Sequence, residues 1–259
     1  MTMRKSLALA SMVLGLVFQA GNSRASAFRV TPVQVHMNGK SSTLLTLTNE
    51  SDSALRFQIS AFAWTQGPKG DIQLAPTDDI TFFPALLSLG AGQERKVRVG
   101  SNAAAEGVEK TYRIFFEELP PADSAAQKPN EVKILTKMGI PIFVAPETAV
   151  AEGRISDLQL AGSDLVFHVV NSGTAHFSIQ KVHVSMSDAA GSKVYDRDLD
   201  GWYVLAGGTR DYRLEVPADV CRKVSRVAVE VNTDMVSSKT SSQLTAQQRF
   251  PAGAACQTK

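Results

Sequence analysis

Residues 131–146, EVKILTKMGIPIFVAP, limit more than any other stretch what this chain can fold into. Val132, Ile134, Met138, Ile140, Ile142 and Val144 fall on even positions, interrupted only by Thr136, while Lys133, Lys137, Gly139 and Pro141 fall on odd ones. Successive side chains of a strand point to opposite faces, so alternation of this length predicts one long strand with an apolar face. Pro141 lacks a backbone N–H and places that strand at a sheet edge rather than a centre. A long edge with exposed apolar side chains is an aggregation hazard unless something pairs with it. Either the even face packs inward as in an ordinary sandwich strand, or it meets a partner.

The first residues set the compartment. Arg4 and Lys5 precede an apolar run over 7–18 that is too short to span a bilayer, and Ala25-Ser26-Ala27 is a small-x-small cleavage site. Residues 1–27 therefore read as a secretory signal peptide, with the mature chain beginning near Phe28. No later run approaches the roughly 20 apolar residues of a membrane helix, so a soluble, exported product with no membrane span is expected. Cys221 and Cys256 are the only cysteines. In an oxidising compartment such a lone pair is most simply a disulfide. Losing Arg4, Lys5 and Arg24 with the leader leaves 24 basic against 25 acidic side chains. That balance supplies no global basic field for nucleic acid or anionic membranes.

The remaining chain reads as short strands separated by turn residues. Residues 28–37 (FRVTPVQVHM) form a first strand ending at Asn38-Gly39, followed by strands over 42–48 and 55–64 around a polar turn at 49–53. Residues 84–89 and 96–99 flank Gly90-Ala91-Gly92, and 111–117 (TYRIFFE) is a further strand. Residues 119–130, rich in Pro, Ala and polar side chains, read as a mobile loop leading into the 131–146 strand. The pattern then restarts. LTLTNESDSALRFQISAF (45–62) is echoed by LVFHVVNSGTAHFSIQKVHV (165–184), and LLSLGAGQERKVRV (86–99) by YVLAGGTRDYRLEV (203–216). Two copies of one sandwich plan, joined near 146–151, account for the length: an all-β chain with domains at 28–147 and 148–259.

Chemistry-bearing motifs are scarce. His36, His168, His176 and His183 are the only histidines, and the last three could meet across a hairpin, but a metal site needs converging ligands with supporting partners. The pairs Asp78-Asp79 and Glu117-Glu118 are adjacent, so on a strand their members point to opposite faces. No nucleophile elbow, phosphate loop, dinucleotide fingerprint or HExxH motif is present, which argues against an enzyme and against a cofactor.

Several features now coincide: a leader, two immunoglobulin-like sandwiches, TYRIFFEELPP (111–121) before a variable loop, and a long alternating strand ending in Ala145-Pro146. In that order and spacing the chain resembles the periplasmic pilus-assembly chaperones of the PapD-like family. NSGTAHF (171–177) and LAGGTRDYRL (205–214) look more like its archaic, spore-coat-protein-U-like branch. The resemblance implies two sandwiches in a boomerang-like arrangement in the periplasm. It implies that the 131–146 strand is lent to a pilin-like subunit whose own fold lacks a strand (donor-strand complementation). The subunit then passes to an outer-membrane usher. Parity nominates Val132, Ile134, Met138 and Ile140 as the inserted residues.

Family members also anchor the subunit's terminal carboxylate between the domains with an Arg and a Lys. The corresponding positions here are Gln34 and Pro141. A carboxylate still favours a charged donor, so Arg113 and Lys137 are the replacement candidates. Arg98 is expected to form a fold-supporting ion pair, and Glu109 to bridge the domains. The resemblance leaves a self-capping dimer possible for spare copies. Competing readings are a structural pilus subunit or adhesin, and a periplasmic metal-binding protein built on the histidines.

Overall fold

The computed structural model describes residues 27–103, 105–121, 134–235 and 242–250. The leader through residue 26, Val132, most of the 119–130 loop and Cys256 lie outside the described residues. Among those described, no helix is long and apolar enough to cross a membrane.

Ten strands make the first sandwich: β1 (Phe28–Thr31), β2 (Val35–Asn38), β3 (Ser42–Asn49), β4 (Leu55–Gln66), β5 (Ile72–Pro76), β6 (Ile80–Phe83), β7 (Leu86–Leu89), β8 (Glu94–Ser101), β9 (Lys110–Leu119) and β10 (Lys137–Ala145). One sheet runs β1-β3-β8-β6. The facing sheet runs β2-β10-β9-β4-β5, with β7 added on β4. Val30, Leu45, Leu47, Val97 and Val99 from the first sheet close against Phe57, Ile114, Phe116, Ile140 and Ile142 from the second.

The strand expected over 28–37 is two strands in different sheets. Pro32 has no N–H to give a ladder, and residues 32–34 leave the pairing. β1 pairs antiparallel with β3, and after the bend β2 pairs parallel with β10. Inward parity slips by one across the bend, from Val30 to Val35 and Met37, while Val33 stays exposed.

The second sandwich is built from β11 (Gly153–Ala161), β12 (Asp164–Asn171), β13 (Phe177–Ser187), β14 (Lys193–Asp200), β15 (Tyr203–Val204), β16 (Thr209–Glu215), one helical turn α1 (Ala218–Cys221), β17 (Arg226–Thr233) and β18 (Gln243–Arg249). Its sheets run β11-β12-β16 and β14-β13-β17-β18, with β15 on β13, around a core of its own. Cys221 sits in that core and is disulfide-bonded.

The two copies share a turn device. Asn49 is fully buried. Its amide donates to the carbonyls of Ser53, Leu89 and Gly90, and its Oδ1 accepts the Ser51 N–H. Asn171, equally buried, donates to Ala175 and Val204 and accepts the Gly173 N–H. Backbone bonds from Asn49 to Gln93 and from Asn171 to Gly208 complete the match. Leu89 is thus equivalent to Val204 and Gly92 to Gly207, both glycines having φ +68. The echo is real, offset by two residues from an end-to-end alignment of 86–99 with 203–216. Each Asn satisfies buried carbonyls that a strand ladder leaves over, which explains its place at both turns.

Candidate functional site

The site is organised by an unequal division of labour along β10. Its antiparallel ladder with β9 covers the whole strand, from Lys137 opposite Glu117 to Val144 opposite Lys110. On the other side, β2 reaches only Ile142 to Ala145. From Lys137 to Pro141 that second edge has no strand beside it among the described residues. Pro141 stands at the changeover, the last rung before Val35 takes the ladder, where its missing N–H disturbs no internal pair. The sequence expectation of an edge strand therefore holds for the first half of β10 and not for the second.

The even face changes character along its length. Ile140, Ile142 and Val144 are sealed in the sandwich's own core, and Met138 is partly buried at its end. Ile134 is 69% exposed, and Leu135 beside it is also exposed. The cause is where the opposing sheet stops: the face is continuous, but only its C-terminal part has a second layer above it. Ile140, at 2% exposure, is thus a core residue and not an insertable one, which corrects the assignment made from parity. The strand also begins later than expected. Thr136 is tied back to Glu118 by its N–H to the carboxylate (3.3 Å) and by its carbonyl to the Glu118 N–H (2.9 Å).

Along the odd, outward face, Gly139 leaves room for the Phe115 ring, which a Cβ there would meet at 2.7 Å. Lys137 pairs with Glu117 at 2.8 Å, half-exposed, and its ammonium lies 5.0 Å from the Phe115 ring. Arg113 stands opposite Pro141, four rungs further along. At about 3.3 Å per residue that separates the two cations by roughly 13 Å, so they do not form one anchor. Lys137 shares a face with Arg113, as parity required, but is already engaged in a surface pair of small worth.

Arg113 is only 8% exposed. Its guanidinium carbon lies 4.5 Å from the Trp64 ring and 5.9 Å from that of Trp202. Its Nε is buried with no hydrogen-bond partner among the described residues. Burial lowers its pKa, opposed by the nearby Tyr203 hydroxyl, yet a guanidinium stays charged at any physiological pH. Arg113 is therefore a buried cation held between two indoles with its Nε–H unpaired among the described residues.

The same corner joins the two sandwiches. Trp64 of β4, Phe143 of β10, Leu205 and Tyr203 form one apolar cluster. Gln66 donates to the Tyr203 carbonyl, and the Asp211 N–H donates to the Pro68 carbonyl at 2.8 Å. Glu109 bridges the domains as expected. Its Oε2 accepts the His176 backbone N–H at 2.9 Å and contacts His176 Nδ1 at 2.7 Å, and its own N–H donates to the Thr174 carbonyl. The indole N–H of Trp64 is also without a partner among the described residues.

The histidines sort differently from their sequence grouping. His168 lies 2.6 Å from Asp211, and His183 lies 2.8 Å from Asp198, each on the second sandwich. His176 instead meets His36 across the domain junction. Among the described residues no group of His, Cys, Asp and Glu could hold a metal ion. Arg98 has no ion pair among them either. It donates to the Ser42 hydroxyl on an exposed sheet face, where solvent makes a buried counter-charge unnecessary. Glu117 and Glu118 do split, one exposed and one buried.

Two residues of this corner were passed over in the sequence, Trp64 and Phe143. Phe143 carried a signal: with Leu135 it is one of two large apolar side chains on the odd face of 131–146, and the only aromatic one.

Residues 27–149 match the family described as Pili and flagellar-assembly chaperone, PapD N-terminal domain. No curated protein matches the chain by sequence. Among solved structures, the fold is similar to the class 5 fimbriae chaperone CfaA, with TM-score 0.54, 13% identity and coverage of 87% of this chain and 100% of that one. It is similar to a chain of the CsuC–CsuE chaperone–tip subunit pre-assembly complex of the archaic Csu pili of Acinetobacter baumannii, with TM-score 0.56, 15% identity and coverage of 85% and 98%. The E. coli chaperone DraB follows with TM-score 0.50, 21% identity and coverage of 86% and 97%. The first sandwich, with its half-open β10, thus matches the PapD N-terminal domain model of the pilus-assembly chaperones, and the chain as a whole shares the fold of these chaperone structures.

Proposed function

We propose that this protein is a periplasmic chaperone that lends the open edge of β10 to an incomplete pilin-like subunit and delivers it to an outer-membrane usher. The observation that carries the reading is the half-open strand: from Lys137 to Pro141 one side has no strand beside it among the described residues, continued by exposed Ile134 and Leu135. An added strand gains main-chain hydrogen bonds, and alternate side chains supply specificity. Val132, Ile134 and the exposed side of Met138 enter the guest's core, while Ile140 stays in this protein's own. Fully burying one such side chain contributes about 1.5–3 kcal/mol before ordering costs.

Arg113, opposite Pro141, receives the subunit's terminal carboxylate without help from Lys137. A single guanidinium clamped by Trp64 and Trp202 takes the place of the Arg and Lys found elsewhere in the family, which fits the archaic branch. No catalysis or cofactor is needed, because the guest gains its last strand from its next neighbour. When no subunit is present, the same edge is open to a second copy of the chain.

Co-expression in a periplasm with a candidate subunit lacking its last strand tests the reading. The chain should retrieve a one-to-one complex on affinity purification, and Ile134→Asp, at a solvent-exposed position, should fold normally and retrieve none. A folded variant that retrieves as much subunit as the parent overturns the lent-edge mechanism.

A further inference from the structure

Three rings stack across the domain junction. Phe143 of β10 lies face to face with His176, centroids 3.5 Å apart and planes 10° from parallel. His36 of β2, which pairs with Phe143 on the ladder, stacks 5.5 Å from it and 5.8 Å from His176. Below them Glu109, its side chain 3% exposed, holds His176 by backbone and ring. His36 and Glu109 belong to the first sandwich, and His176 to the loop between β12 and β13 of the second. Phe143 is two residues beyond Pro141, where the free edge ends and Arg113 waits.

We infer that His36, Phe143, His176 and Glu109 form an interdomain clasp that holds the cleft around Arg113 and that protonation of His36 loosens it. The inference rests on the chaperone reading and adds regulation of the same cleft by acidity.

His36 is held below the usual histidine range by burial first and by His176 second; Glu109 and Asp234 oppose both, more weakly. Among the described residues His176, Glu109 and Asp234 are the charged or titratable groups acting on it, and Tyr203, packed on Phe143 and His176, adds no charge in this range. With the junction closed, His36 resists a proton. With it open, the imidazole is solvated and regains its ordinary value of about 6.5. The open form binds more protons, so falling pH favours opening. The clasp is therefore at full strength above about pH 6.5, weakens below that, and stops weakening once pH passes the depressed value.

Amide hydrogen exchange on the full mature chain reads the opening directly, because the backbone N–H groups of Glu109, His176, Leu205 and Asp211 donate across the junction. Between pH 7.5 and 5.5, after correction for intrinsic rates, their protection should fall about three- to tenfold relative to core amides of either sandwich. His36→Phe and His36→Gln, both chargeless, should each remove that pH dependence. Protection that does not change with pH in the parent overturns the clasp as an acid-sensitive device. Dependence that persists in both variants overturns His36 as its sensor. Subunit retrieval at pH 7.5 is measured alongside. Retrieval without pH-dependent exchange sinks this inference alone, whereas pH-dependent exchange without retrieval sinks the chaperone reading.

Discussion

Arg113 offers the sharpest separation of stability from function. Replacing it by Met keeps a flexible apolar stem of similar reach against Trp64 and Trp202 and removes the charge. In the free protein the arginine is a liability. Its buried Nε has no partner among the described residues, a state that costs about 1–3 kcal/mol. The stacking of its guanidinium at 4.5 Å from Trp64 returns about 0.5–2 kcal/mol. These nearly cancel, so Arg113→Met should leave the urea midpoint within about 1 kcal/mol of the parent, or above it. Binding should respond in the opposite sense. A hydrogen bond to a carboxylate carries about 1.5–3 kcal/mol, so subunit affinity should fall by about 10- to 150-fold. Urea unfolding followed by tryptophan emission reports the first quantity, and titration of the purified chain against a subunit gives the second. A variant that loses more than about 2 kcal/mol of stability would show that Arg113 holds the junction together. A variant that binds as tightly as the parent would show that the carboxylate goes elsewhere.

Four further outcomes are expected. Ile140→Ala should cost about 2–5 kcal/mol in urea unfolding, whereas Ile134→Ala should stay within about 0.5 kcal/mol; equal costs would contradict the burial contrast along β10. Asn171→Ala and Asn49→Ala should each lose about 1–3 kcal/mol, because buried carbonyls are stranded, and similar losses from both would show that the two turn devices are equivalent. Gly139→Val should disturb Phe115 and weaken subunit retrieval more than it lowers the unfolding midpoint; unchanged retrieval would mean that the outward face plays no part. Glu109→Gln should lower exchange protection at His176 and Asp211 together at neutral pH, and a loss confined to His176 would show that the junction does not open as a unit.

What the sequence made legible follows from how local each signal is. The duplicated sandwich could be read because its markers are turn chemistry: Asn followed by small residues, and Gly-rich corners. The break at Pro32 was hidden because apolar residues continue on both sides of it, and only their parity shifts. Alternation along 131–146 identified a face but not a depth. Period two says which way Ile134 and Ile140 point; only the extent of the opposing sheet decides that one is bare and the other sealed. That Arg113 is buried beside Trp64 and Trp202 rather than an ordinary surface charge was legible, because a charge inside TYRIFFE must reach a cleft or a partner. Lys137 satisfied parity and failed on distance. The three later histidines are neighbours in sequence, but the pairing of His36 with His176 depends on how two domains meet, which no local pattern encodes.

The short reach of β2 has a consequence for any strand that docks beside β10. Val35 blocks the ladder at Ile142, so a visiting chain meets a fixed stop, and among the described residues the stretch from Ile134 to Pro141 offers it roughly 26 Å to lie along. With Arg113 as the proposed carboxylate anchor, the visitor's carboxylate end lies at the stop, and the visitor runs in the same direction as β10. The groove thus acts as a gauge read from the visitor's tail. Adding one residue to that tail would move every visiting side chain to the opposite face, so under the proposed mechanism clients would be selected by the position of their last residue as well as by their apolar pattern.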